Sequence, residues 1–175
     1  MTLFFYIIIA IITFFAFLHA WAKKFYEINR TIVINSPREE AFNFIRQLKN
    51  QPGWIPWFNR DPNALLKYKG EDGKLGASFY WKGNNKAGEG IQRVEKIKRG
   101  MIFETKILFI KPIKLNAVSY IGMKDVETDK TKMVWGVKGY LPFPLSIISL
   151  IYTPEKVLGD NLEKGLKNLK RILET

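Results

Sequence analysis

Cysteine is absent from the 175 residues, which rules out disulfides, thiolate-ligated zinc, iron–sulfur clusters and thiol nucleophiles. Histidine occurs once, as His19 inside a hydrophobic leader. The rest of the chain therefore offers no Ser–His–Asp triad and no multi-histidine metal site. Charge is missing as well from residues 1–22, which hold no Lys, Arg, Asp or Glu, so the formal net charge of +12 belongs wholly to residues 23–175. A domain this basic is drawn to anionic partners, either lipid headgroups or nucleic acid. The plainer reading is a lysine-rich surface that only keeps the domain soluble.

What the leader does contain is a continuous apolar run, Thr2–Ala22 (TLFFYIIIAIITFFAFLHAWA), of the length that spans a bilayer core as a helix. Tyr6 and Trp21 suit the two interfaces, and Lys23-Lys24 follows at once. Basic charge on the C-terminal flank alone predicts a retained transmembrane helix over 1–22 with the 23–175 domain on the cytoplasmic side. The competing reading is a cleaved signal peptide, with Ala20-Trp21-Ala22 as the cleavage pattern and a secreted or periplasmic domain. Against it stand the lack of a basic n-region and the length of the apolar run. His19 fits an interfacial polar residue better than a ligand or relay.

Beyond residue 22 the pattern changes period. Phe25–Asn35 has Ile28, Arg30, Ile32 and Ile34 on one parity and reads as a strand. Ser36-Pro37-Arg38-Glu39 signals a helix start, with Ser36 as N-cap, and Ala41, Phe42, Ile45 and Leu48 give that helix one apolar face as far as Asn50. Residues 51–62, with three prolines, a glycine and two tryptophans, are expected to be irregular yet packed. From about Leu65 to Leu141, turn signals separate a meander of about six strands, with a bulge expected in Gly88–Ile97, where Ile91 and Val94 differ in parity. Met101, Phe103, Thr105, Ile107 and Phe109 share one face, as do Met133, Trp135 and Val137. Thr153-Pro154-Glu155 opens a final amphipathic helix carrying Leu158, Leu162, Leu166 and Leu169. Gly159 and Gly165 inside it cost roughly 1 kcal/mol each relative to Ala, so either close approach or room for a ligand is expected there.

The fold class is thus α+β, with a curved antiparallel sheet of six or seven strands around a long C-terminal helix, plus the N-terminal transmembrane helix. Motifs throughout residues 25–174 agree with it: Ile32-Val-Ile-Asn-Ser-Pro-Arg-Glu-Glu-Ala-Phe42, Trp54-Ile-Pro-Trp57 with Asp61-Pro62, Gly76-Ala-Ser-Phe-Tyr-Trp81 with Gly83-Asn84, Gly88-Glu-Gly90, Phe109-Ile-Lys-Pro112, Thr131-Lys-Met-Val-Trp135 and Gly165-Leu-Lys-Asn-Leu-Lys170. On these residues the chain resembles the SRPBCC superfamily, the helix-grip fold of START lipid-transfer domains, polyketide cyclases and plant allergen-type binders. The resemblance implies an elongated apolar cavity for a hydrophobic or lipid-like small molecule. That superfamily hosts enzymes, carriers and regulators alike, so it implies a fold more firmly than an activity.

By parity the cavity lining is expected to include Phe79, Trp81, Phe103, Thr105, Ile107, Met133, Trp135, Leu158 and Leu162, with Trp54 and Trp57 as a lid or as a static packed loop. The alternative for the whole set is an ordinary filled core. Tyr140–Tyr152 (YLPFPLSIISLIY) and Ile107–Leu115 (ILFIKPIKL) either dip into a membrane interface or, for Ile147, Ile148 and Ile151, begin the last helix and turn inward. Glu89, Glu95, Glu104, Tyr80 and Tyr120 are the strand residues with acid–base chemistry. No pair of them stands out, so binding is favoured over a cyclase- or dehydratase-like activity, and a partner-binding module without a ligand is the third reading. No metal or cofactor is expected. Nucleic acid is not expected either, because the aromatics fall on apolar strand faces rather than among exposed basic residues.

Overall fold

The computed structural model describes residues 2–175; Met1, counted in the expected 1–22 segment, lies outside the described residues. The leader forms one helix, α1 (Thr2–Trp21), with no buried residue. By length and composition it is able to cross a membrane. Three residues later β1 (Phe25–Ile34) begins an antiparallel sheet completed by β2 (Leu65–Lys69), β3 (Ser78–Lys82), β4 (Glu89–Lys98), β5 (Ile102–Lys111), β6 (Leu115–Glu127) and β7 (Lys130–Tyr140). The seven strands lie in the order β1-β7-β6-β5-β4-β3-β2. The meander runs from β2 to β7, and β1 closes onto β7. The expected bulge is present, as a register shift between Val94 and Lys96.

Helices cover one face of this sheet. The last helix, α5 (Pro154–Leu173), starts as its sequence predicts: Thr153 Oγ1 accepts from the Lys156 N–H at 3.4 Å, and Pro154 occupies the first turn, where its missing N–H is harmless. The helix runs about 30 Å, and Leu162, Leu166 and Leu169 are buried against the sheet. It is fastened to β1 at both ends, by Arg30 with Glu155 and by the Asn35 N–H donating to Glu174 Oε1 at 2.6 Å. Gly165 is required by close approach rather than by a ligand. A Cβ there would sit 2.5 Å from Trp135 Cζ3, so the indole lies directly against the helix backbone.

Two local expectations are corrected by tertiary contacts. The helix after β1, α2, covers only Arg38–Ile45, and no side chain caps it. Ser36 is instead buried, its carbonyl accepting from Thr131 Oγ1 at 2.8 Å. A 3-10 turn, Leu48–Asn50, follows separately because the Asp72 carboxylate, on the β2–β3 loop, accepts from the Leu48 and Lys49 N–H groups at 2.7 and 3.2 Å. Residues 51–62 are more ordered than expected. They hold a helical turn, α3 (Gln51–Trp54), and a 3-10 turn, Phe58–Arg60, with Pro52 in the first turn.

Tyr140–Tyr152 does not run into the last helix. Its middle forms a separate short helix, α4 (Leu145–Ile148), rather than the start of α5. Ile148, Leu150 and Ile151 stay exposed, as do Phe143 and Tyr152.

Candidate functional site: an apolar hollow and its groove

The sheet and α5 do not meet flush along their whole length. Under the α5 N-terminal half lies a hollow of about 90 Å³. Its wall contains Trp54, Trp57, Trp81, Phe103, Thr105, Ile107, Trp135, Leu158 and Leu162, which are the expected residues apart from Phe79 and Met133. Those two face the same way but stand deeper along their strands. Phe79 is packed between Tyr68 and Phe58, at ring distances of 5.6 and 5.1 Å, and Met133 is fully buried opposite Ile32 and Met123. Parity assigns a face, not a depth.

Neither tryptophan behaves as a lid over an open mouth. Trp54 is wholly buried and meets Trp135 edge-on at 4.8 Å, a contact worth about 0.5–1.5 kcal/mol beyond area burial. Trp57 is half-buried and tied down: its Nε1 donates to Ala87 O at 3.1 Å, the carbonyl that also accepts from Trp81 Nε1 at 3.2 Å. The Arg60 guanidinium lies 4.3 Å over the Trp57 ring.

Beyond Trp57 a second space opens, an apolar groove of about 310 Å³. It runs between the β5–β6 connection (Lys111, Pro112, Ile113, Leu115) and the α4–α5 segment (Leu145, Ile148, Tyr152, Val157). Trp57, Phe109, Val137 and Leu158 belong to both walls, so these four side chains divide groove from hollow. The hollow alone is smaller than the roughly 150 Å³ cavity that holds a benzene-sized molecule. Anything larger must lie in the groove and send only its tip inward.

Sequence reasoning missed part of the wall. Phe109 and Val137 lay on the right parity. Ile121 and Ser119 were equally readable from alternation in β6. Gln92 was hidden by the bulge, and Gln51, Ile55 and Phe58 by the proline-rich segment. The polar groups among these are neutral. Gln92 Nε2 donates to Thr105 Oγ1 at 2.9 Å, and Trp135 Nε1 donates to Ser119 Oγ at 2.9 Å. Gln51 Oε1 and Trp54 Nε1 are buried without a partner, one acceptor and one donor three residues apart on the same helical turn. Among the described residues lining the hollow, none is ionisable.

The acid–base candidates lie elsewhere, on the strand positions of opposite parity. Tyr80 donates to Glu89 at 2.8 Å, with Lys111 Nζ 3.6 Å from the same carboxylate. Tyr120 donates to Glu27 at 2.5 Å, and burial, reinforced by that carboxylate, pushes its phenol up to about 12. Glu95 lies near Arg93, at 3.8 Å. Glu104, on β5, is opposite in parity to the Phe103 and Thr105 side chains that line the hollow.

A seven-stranded antiparallel sheet wrapped on a long C-terminal helix, with an apolar space between them, defines a helix-grip domain. Solved structures share it. A ginseng major latex-like protein from Panax ginseng superposes with a TM-score of 0.60 at 13% identity, over 87% of this chain and 100% of that one. The protein XoxI from Bacillus cereus gives 0.60 at 18% identity over 84% and 94%, and Ara h 8.0201 gives 0.55 at 11% over 85% and 97%. At these identities the likeness is one of fold. No family model matches the chain, and no curated protein does.

Proposed function

We propose that this protein is a membrane-tethered binder of a hydrophobic or lipid-like small molecule, with α1 as a retained anchor over 1–22 and residues 23–175 as the binding domain on the cytoplasmic side. The observation that carries the reading is the apolar groove leading past Trp57 to the hollow under α5. The occupant is an elongated apolar molecule ending in one neutral polar group. Its body lies against Phe109, Ile113, Val137 and Leu158. Its polar end enters the hollow, whose wall offers the neutral polar side chains of Gln51, Gln92, Thr105, Ser119 and Asn161. The neutral lining of the hollow supports binding over acid–base catalysis, which needs a group of matched pKa within reach of the substrate.

The test is a titration of the full chain in nanodiscs with a brominated long-chain alcohol, read by quenching of tryptophan emission. Trp57, Trp81 and Trp135 line the hollow, so saturable quenching at one equivalent is expected. Leu158→Trp, which fills the division between groove and hollow, should raise the half-saturation concentration at least tenfold with the fold intact by circular dichroism. Quenching that rises linearly with probe and ignores this substitution would mean partition into lipid only, and the binder reading would fall.

A further inference from the structure

Outside α1, exposed apolar side chains occur in several places, Leu75 and Val126 among them, and one group lies at the α4 end of the domain. At that end Ile151 is 72% exposed, Phe143 60% and Ile113 48%; all three flank the mouth of the groove or the turn beside it. The end of α1 is joined to the same place. His19 Nδ1 is hydrogen-bonded to Ser146 Oγ at 2.7 Å, the His19 ring meets Phe143 edge-on at 5.7 Å, and the Leu141 N–H donates to Lys24 O at 2.7 Å. α1 is therefore held against α4 as well as leading into β1.

The linker sets a distance. Ala22, Lys23 and Lys24 separate α1 from β1, and three residues reach at most about 11 Å. The headgroup layer of one leaflet is about 5–8 Å thick. A domain so closely tied to a spanning helix touches the headgroups, and the end that touches is the one carrying Ile113, Phe143 and Ile151. Charge agrees: Lys23, Lys24 and Lys114 lie at this end, with Lys111 beside Glu89, and lysines next to an anionic leaflet are drawn to its surface.

Building on the tether proposed above, we infer that this end of the domain is seated in the anionic leaflet interface. The β5–β6 connection and the α4 turn dip below the headgroups, and the groove opens laterally into the acyl layer. Its ligand then passes between leaflet and groove without crossing water. The exposed isoleucines form the rim of a lipid-facing door, and the short linker keeps that door at the right depth.

Because the chain has no cysteine, single-cysteine variants report depth directly. Nitroxide labels at F14C in α1, I113C and I151C at the groove end, and D129C on the far β6–β7 turn are placed on the full chain in nanodiscs of phosphatidylcholine with phosphatidylglycerol. Collision with oxygen is compared with collision with a water-soluble nickel chelate. The expected result is that labels at 14, 113 and 151 favour oxygen while 129 favours the chelate, with at least a threefold difference in the ratio. If 14 favours oxygen but 113 and 151 match 129, the seat is wrong and the tether stands. If 14 also matches 129, tether and seat both fail, and the quenching titration still decides ligand binding by itself.

Discussion

The two ends of the sheet's covered face are built from similar residues and end in different states. At the α2–α3 end, Phe42, Ile45, Trp54, Phe79 and Met133 are buried and interlocked. At the α4 end, Phe109, Ile113, Val157 and Tyr152 bound a groove that no side chain among the described residues fills. Apolar composition therefore does not separate core from site here. What separates them is whether an element crosses above. Gly165 lets α5 drop onto Trp135, whereas the N-terminal part of α5, which carries Leu158, stands off from the sheet near Val137.

The sharpest way to break the contrast is to open the closed end. Trp54→Ala removes a fully buried indole and should cost about 3–5 kcal/mol, read as a lowered midpoint in denaturant. Forcing the helix off the sheet comes next. Gly165→Val places its branch against Trp135 and Pro56, an overpacking that should cost about 1–3 kcal/mol and enlarge the hollow, so the brominated alcohol should bind less selectively by chain length. Gln51→Leu changes the site rather than the frame. It removes a buried acceptor without a partner, so stability should hold or rise. Affinity for the alcohol should drop relative to the matching alkane, by about 1 kcal/mol, measured as a ratio of half-saturation concentrations.

The smallest effect is at the latch of the closed end. The Asn35 N–H, with Lys170 in support, holds the Glu174 carboxyl below the usual carboxylate range. Its folded pKa is depressed, so its stabilisation is present above the unfolded value, about 4.3, and is lost as pH falls through the folded value. Glu174→Gln should flatten that part of the acid limb in melting temperatures taken from pH 6 to pH 3. The carboxylate is solvent-exposed, and the change should be slight beside the three above.

Much of this was legible from the residues. The period-two alternation of β5 and β7 named the face on which Phe103, Thr105 and Trp135 lie, and Thr153-Pro154 marked the start of α5. What alternation did not carry was position along the strand, which is why Phe79 and Met133 were grouped with the lining. It failed as well wherever a partner distant in sequence decided the outcome. Asp72 ended α2 early, Thr131 withdrew Ser36 from the cap, and the bulge at Val94 hid Gln92.

By itself the sequence determined the apolar leader, the seven strands, the long last helix and the inward face, because each follows from spacing along a single element and the burial that spacing permits. Only the tertiary structure decided where the helix touches the sheet and where it stands away. That depends on side chains far apart in the chain, Gly165 against Trp135 at one place and Leu158 across from Val137 at another, and no local pattern records whether two such faces meet.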